Sequence, residues 1–229
     1  MRIRLRFGLA AAVLFVSGCA TVPQSSVQLA PSTLGSQSGR VGVVMTELPK
    51  VDTQLPGAGC LLCIGAAMLA NNSLIEYSKT LPYEDLPKLK HDIVAALRAK
   101  GVDAIVIEKP VNLSELPKAE KIANGPARDF SSLQQEYQLG KILVIDVAAL
   151  GFERTYSAYI PTSDPKAMLR GTGYLVNLQT KTYEWYLPVA VLKSTSQNWD
   201  EPPQFPGLSN AYFQTLEVAR DTFLQPFAN

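Results

Sequence analysis

The apolar positions of this chain change period along its length, and each change marks an element. Residues 40–46 (Arg-Val-Gly-Val-Val-Met-Thr) are a Val-rich run that predicts a strand. Over residues 85–100, Leu86, Leu89, Ile93 and Leu97 recur at steps of three and four, the stripe of an amphipathic helix. Pro87 suits its first turn and Gly101 its left-handed stop. Residues 103–108 predict a second strand, and 110–128 a polar connection. Residues 130–139 predict a short helix with Asp129 or Ser131 as its cap. Residues 141–150 (Lys-Ile-Leu-Val-Ile-Asp-Val-Ala-Ala-Leu) form a continuous apolar run, which suits a strand covered on both faces at the centre of a sheet. Residues 152–161 and 168–178 predict two strands of a meander, joined through 162–165. A turn at 179–182 leads to a further strand at 183–193. The Pro-rich stretch 201–206 precedes a last helix, capped by Ser209, that turns Phe213, Leu216, Ala219 or Arg220, and Phe223 to the sheet.

Strands and helices that alternate and then give way to a meander predict an α/β (α+β) domain. Its expected core is an open mixed sheet of about five strands with three helices packed on it. The apolar share, 47%, is enough for such a core. One insertion, at about residues 47–82, does not fit the alternation. Within it, residues 58–70 carry no charge and mix Gly and Ala with Leu, Ile and Met. Thirteen residues are too few to span a bilayer, which takes about 20. Two readings stand: a helix or hairpin tucked onto the domain, or a loop that dips into a membrane or touches a partner.

The first residues are built differently. Arg2, Arg4 and Arg6 precede a short apolar run at 7–16 that ends in Val16-Ser17-Gly18-Cys19. A basic start, an apolar run of this length and small residues at its end make a secretory signal. Cys19 directly after Ser-Gly resembles the lipobox of bacterial lipoproteins. That resemblance implies cleavage before Cys19, a diacylglyceryl group on its sulfur and acylation of the new amino terminus. Several acyl chains, at about 0.8 kcal/mol per buried CH₂, make a stable anchor. By resemblance to enterobacterial sorting, Ala20 in place of Asp favours the outer membrane, with the domain on its periplasmic face. Residues 20–39 are uncharged and rich in Ser, Gln, Pro, Thr and Gly, so 19–39 reads as the acylated Cys and a flexible tether. The expected organisation is thus a signal peptide over 1–18, the tether, and one domain over 40–229.

The hairpin Leu175-Val176-Asn177-Leu178-Gln179-Thr180-Lys181-Thr182-Tyr183-Glu184-Trp185 resembles one found in a group of envelope proteins. The group includes the amino-terminal domain of TolB, the curli secretion lipoprotein CsgG, the lipoprotein PelC and related lipoproteins. Residues 137–144 are similar to the group's helix end feeding its central strand. The element order matches from about residue 40 to 227. The group's usual Asp-x-x-Thr-Gly turn is here Gln179-Thr180-Lys181-Thr182, without the Gly. The resemblance implies the same mixed sheet and a lipoprotein of the cell envelope.

Charge and candidate chemistry narrow the function. Losing the leader leaves 18 basic against 20 acidic residues. No basic cluster is present, which argues against nucleic-acid binding. His91 is the one histidine and falls opposite the Leu89 stripe, so a triad would have to be built around an exposed residue. Cys60 and Cys63 allow three readings: a local disulfide, two buried thiols or a redox pair. Their apolar neighbours Leu61, Leu62 and Ile64 should raise a thiol pKa, against the third. Zinc would need two more ligands, and neither a second Cys pair nor a His pair exists. Asp146 interrupts the central strand; a bond to a neighbouring loop is the simpler reading beside a functional carboxylate. Gly171-Thr172-Gly173 lacks the Lys and following helix of a phosphate loop and suits a bulge or close packing. Glu153, Arg154, Tyr156 and Tyr159 fit either a partner surface or the outer face of the meander.

The expectation is a non-enzymatic accessory or assembly lipoprotein without metal or cofactor. It would act by binding another envelope protein or itself, with Leu61, Leu62, Ile64, Met68 and Leu69 as the candidate partner or membrane contact. The alternative is a subunit of an oligomeric CsgG-like export complex. Barrel strands alternate apolar and polar residues, however, and 58–70 does not.

Overall fold

The computed structural model describes residues 24–35 and 38–228. The expected signal peptide and Cys19 lie outside these. The five main strands are β1 (Val41–Met45), β3 (Ala104–Val106), β4 (Lys141–Glu153), β7 (Lys166–Asn177) and β8 (Thr182–Ser194). They are ordered β3-β1-β4-β7-β8. β1 pairs in parallel with β3 and β4, whereas β4–β7 and β7–β8 are antiparallel. This is the open mixed sheet that the sequence predicts, with β4 at its centre. Ile142, Leu143, Val144 and Ile145 are all fully buried, so successive residues of β4 point into two separate cores.

One face is covered by α3 (Leu89–Ala99) and α5 (Pro206–Ala228). Leu89, Ile93 and Leu97 of the predicted stripe are buried there, and Leu86 joins them from the 3-10 turn Leu86–Lys88. Phe223 and Phe227 of α5 reach Trp185, whose ring meets Phe227 edge-on at 5.0 Å. The other face carries α4 (Ser131–Tyr137) and the irregular connection before it, over Ile142, Val144, Tyr174 and Val176. Asp129 caps the entry to α4: its Oδ1 accepts the Ser131 N–H at 2.8 Å. Gly171 and Gly173 are close-packing sites, beside an irregularity of β4 between Val147 and Ala149.

Several details differ from expectation. Five α-helices occur among the described residues, because the insertion forms α1 (Leu61–Ala70) and α2 (Asn72–Ser78). It also holds β2 (Asp52–Gln54), which pairs with Gly151–Glu153 beyond the end of β1. Residues 152–161 are not a strand of the meander. β4 runs on through Glu153, and β5 (Tyr156–Ser157) and β6 (Ile160–Pro161) form a small hairpin off the sheet. Ser209 is not a cap, since α5 begins at Pro206 and its Oγ instead donates to the Phe205 carbonyl. Leu216, Ala219 and Phe223 face the core as expected, and Tyr212 in place of Phe213 completes their stripe, because 212, 216, 219 and 223 recur at steps of four, three and four and 213 lies off that face. Residues 24–35, expected within the tether, lie on the domain. Val27 and Tyr186 exchange backbone hydrogen bonds of 2.9 Å, and Lys141 Nζ, itself paired with Glu184, donates to the Thr33 carbonyl at 2.8 Å.

Candidate functional site: an apolar helix and an aromatic cleft

An uncharged sequence leaves α1 without side-chain partners for its first turn except Cys60. Cys60 is bonded to Cys63, and the Cys63 N–H donates to Cys60 Sγ at 2.9 Å. At the other end, Asn71 is almost fully buried. Its Nδ2 donates to the Ala67 carbonyl and to Tyr156 Oη, and its Oδ1 accepts from Arg154 at 2.9 Å. The Arg154 guanidinium stacks over Trp199, 4.7 Å from the ring centroid. Gly57, at φ +89°, lets the incoming chain press against the Tyr156 carbonyl, where no side chain fits. The helix is therefore clamped at both ends to the β5–β6 hairpin at the carboxyl end of β4.

Between the clamps only Cys63 and Ala67 are buried. Leu61, Leu62 and Leu69 are 87%, 75% and 81% exposed, and Ile64 and Met68 also face outward. Tyr159 and Ile160 at the hairpin tip extend this surface; Tyr159 Oη lies 3.7 Å from Cys60 Sγ. The outward apolar area is on the order of 500 Å², at the upper end for monomers. All five predicted contact residues thus share one surface, with exposed Cys60 beside it and its disulfide partner Cys63 turned inward. Within the 58–70 stretch, Leu61–Ala70 is a helix that touches its own domain along one narrow line, not a segment packed into the core.

The other sequence candidates lie elsewhere. His91 is half exposed on α3 and faces Glu108 at 3.5 Å. Glu153 pairs with Arg170, whereas Tyr156 does belong to the α1 site, buried beneath the helix with Ala58, Cys63 and Ala67. Asp146 accepts a hydrogen bond of 2.9 Å from Thr46 Oγ1, and it also lines a cleft that sequence reasoning missed. This cleft, of about 330 Å³, opens on the α4 face of the sheet and is lined by Asp146, Thr172, Tyr174, Tyr183, Tyr186 and Phe130 among others. Burial, then the neighbouring Tyr183, Asp146 and Tyr186, pushes the Tyr174 phenol well above its usual range. Burial, then Tyr186, pushes Tyr183 up to about 12. At neutral pH the phenols keep their protons. The signal available in sequence was the even-numbered parity of Asp146, Thr172, Tyr174 and Tyr186 on paired strands, which needs the register to be read.

Among the described residues no helix is long and apolar enough to cross a membrane. The class defined by this architecture is an α/β domain on an open mixed sheet, with an apolar helix displayed at one end. No family model matches the chain, and no curated protein matches it. Among solved structures it is similar to a PelC dodecamer from Paraburkholderia phytofirmans, at 12% identity over 89% of this chain and 95% of that one, TM-score 0.37. It is similar to protein XCC0632 from Xanthomonas campestris, at 14% identity over 90% and 92%, TM-score 0.42. Lipoprotein GNA1162 from Neisseria meningitidis is similar at 12% identity over 78% and 95%, TM-score 0.29. These are distant likenesses of fold alone.

Proposed function

We propose that this protein is a non-enzymatic accessory or assembly lipoprotein of the bacterial envelope. It is held through acylated Cys19 to the periplasmic face of the outer membrane and acts by binding another protein through α1. The observation that carries this reading is the outward display of Leu61, Leu62 and Leu69 on a helix clamped at both ends. A mobile apolar loop could fold away; this one is held in place by the Asn71–Arg154–Tyr156 contacts. Burying its surface would contribute on the order of 10 kcal/mol, comparable with the cost of associating two proteins. A tight complex therefore needs the partner to cover the hairpin tip as well.

The test is a photoreactive side chain at Leu69 in cells, with one at His91 as control. A discrete protein adduct from position 69, absent from 91 and lost with Leu61→Glu, is expected. If position 69 labels lipid alone, α1 is a membrane contact and the reading fails. If it labels nothing beyond the control, α1 has no partner and the reading also fails.

A further inference from the structure

The aromatic cleft combines two features that ordinary packing leaves unexplained. The first is a carboxylate without a counter-ion. Asp146 is half-buried on the central strand, and no ion pair among the described residues includes it. Arg128 also lines the cleft and keeps its charge, but it makes no ion pair with Asp146 and its guanidinium donates to the Leu116 carbonyl at 3.2 Å. The only hydrogen bond to Asp146 among the described residues comes from Thr46 and occupies Oδ1. Oδ2 is left to accept from whatever enters.

The second feature is a cluster of electron-rich rings. Tyr183 and Tyr186 have centroids 5.0 Å apart, Tyr174 and Tyr183 5.5 Å, Tyr174 and Tyr186 6.2 Å, and Phe130 and Tyr174 6.4 Å. No cation sits over these rings among the described residues; the stacked guanidinium is Arg154 on Trp199, elsewhere. The hydroxyls of Tyr174, Tyr183 and Tyr186 make no hydrogen bond among the described residues. Burial first, then the neighbouring Tyr183, Asp146 and Tyr186, holds the Tyr174 phenol above its usual range. Ring quadrupoles and an unpaired carboxylate make the Asp146 side of this partly desolvated concavity attractive to a cation, with Arg128 as the positive group elsewhere on its lining. Its volume of about 330 Å³ lies in the range of small-ligand sites. Positive charge is favoured by ring faces and by an unpaired carboxylate alike. An anion would meet Asp146, and a purely apolar group would leave its free oxygen unsatisfied.

We infer that this cleft is a binding site for an organic ammonium group, with Asp146 Oδ2 as its charge partner and Tyr174, Tyr183 and Tyr186 as its aromatic wall. The group is carried either by a free alkylamine or by a lysine side chain of a peptide. The site is independent of α1 and of the function proposed above.

The experiment titrates n-butylammonium, Nα-acetyl-lysine methylamide and the neutral near-isostere n-pentanol into detergent-solubilised full-length protein at constant ionic strength. The readout is tyrosine ring-proton shifts by NMR. Saturable shifts with either cation, at least about tenfold tighter than with pentanol, are expected. Binding of the lysine amide as tightly as butylammonium identifies a peptide source; preference for butylammonium identifies a small amine. Asp146→Asn, checked by an unchanged melt, should weaken the cation about tenfold and leave pentanol unaffected. Because Thr46 leans on Asp146, Tyr186→Leu serves as a second variant, with a several-fold loss expected. Equal binding of pentanol and cation, unchanged cation binding in both variants, or no saturation by about 10 mM overturns the inference.

Discussion

Gly173 to Ala adds one methyl group to the centre of β7, and the structure says what that group meets. A Cβ there would overlap Trp185 Cη2, lie 2.8 Å from Cζ3 of the same ring and 3.1 Å from Phe223 Cδ1. Trp185 is 3% exposed and held edge-on by Phe227, so the indole has little room to move aside. Overpacking of this kind costs about 1–3 kcal/mol. The obstructing atoms are those of the six-membered ring furthest from the backbone, and phenylalanine lacks them. Trp185→Phe should itself cost about 1–2 kcal/mol through the lost contacts. In that background, Gly173→Ala should cost close to nothing, since Ala also suits a strand better than Gly. Urea denaturation followed by circular dichroism, across wild type, both singles and the double, measures the coupling; a favourable interaction energy of about 1–2 kcal/mol is expected. Gly171→Ala is the internal control. Its Cβ would lie 2.6 Å from the Asp146 carbonyl oxygen, so the obstacle is backbone and Trp185→Phe should not relieve it. An equal cost for Gly173→Ala in both backgrounds refutes the steric argument.

Asp at either Val144 or Ile145 should abolish cooperative melting, because both are fully buried on opposite faces of β4; calorimetry of the two variants checks it. Lys141→Met should cost about 2–3 kcal/mol by leaving Glu184 with Asn177 as its one partner among the described residues, and should speed hydrogen exchange at the Val27 amide as Thr33 is released. Asp129→Ala should cost about 1 kcal/mol at neutral pH, measured by denaturant unfolding. The Ser131 hydroxyl and N–H hold the Asp129 carboxyl below its usual range, so its contribution is complete above the unfolded pKa of about 3.9 and fades as pH falls through the lower folded value. The gap between variant and wild type should therefore close in that acidic window. Cys19→Ser should leave uncleaved or soluble precursor; membrane fractionation identical to wild type would refute lipid attachment at this residue.

What the sequence determined by itself was local or periodic. The stripe Leu86, Leu89, Ile93 and Leu97 marked its helix, and the unbroken apolar run of β4 marked a strand covered on both faces, because both patterns lie within a few turns of chain. The uncharged 58–70 stretch was conspicuous, and its residues did become the exposed surface, but its form was not legible. Apolar residues on every side of a segment carry no period, so helix, loop and buried core look alike until a neighbour covers one side. Only the tertiary structure decided that Cys63 and Ala67 turn inward while Leu61 and Leu69 do not. The docking of Val27 on Tyr186 was hidden for a similar reason: a polar, uncharged sequence says nothing of an unpaired strand edge 159 residues away. The cleft was the least visible feature. Its carboxylate and its tyrosines come from three strands, and what brings them together is the register Asp146↔Thr172 and Tyr174↔Tyr186. Register is a property of pairing between distant segments, and a one-residue slip of β4 would turn Asp146 to the opposite face, away from Thr172, Tyr174 and Tyr186.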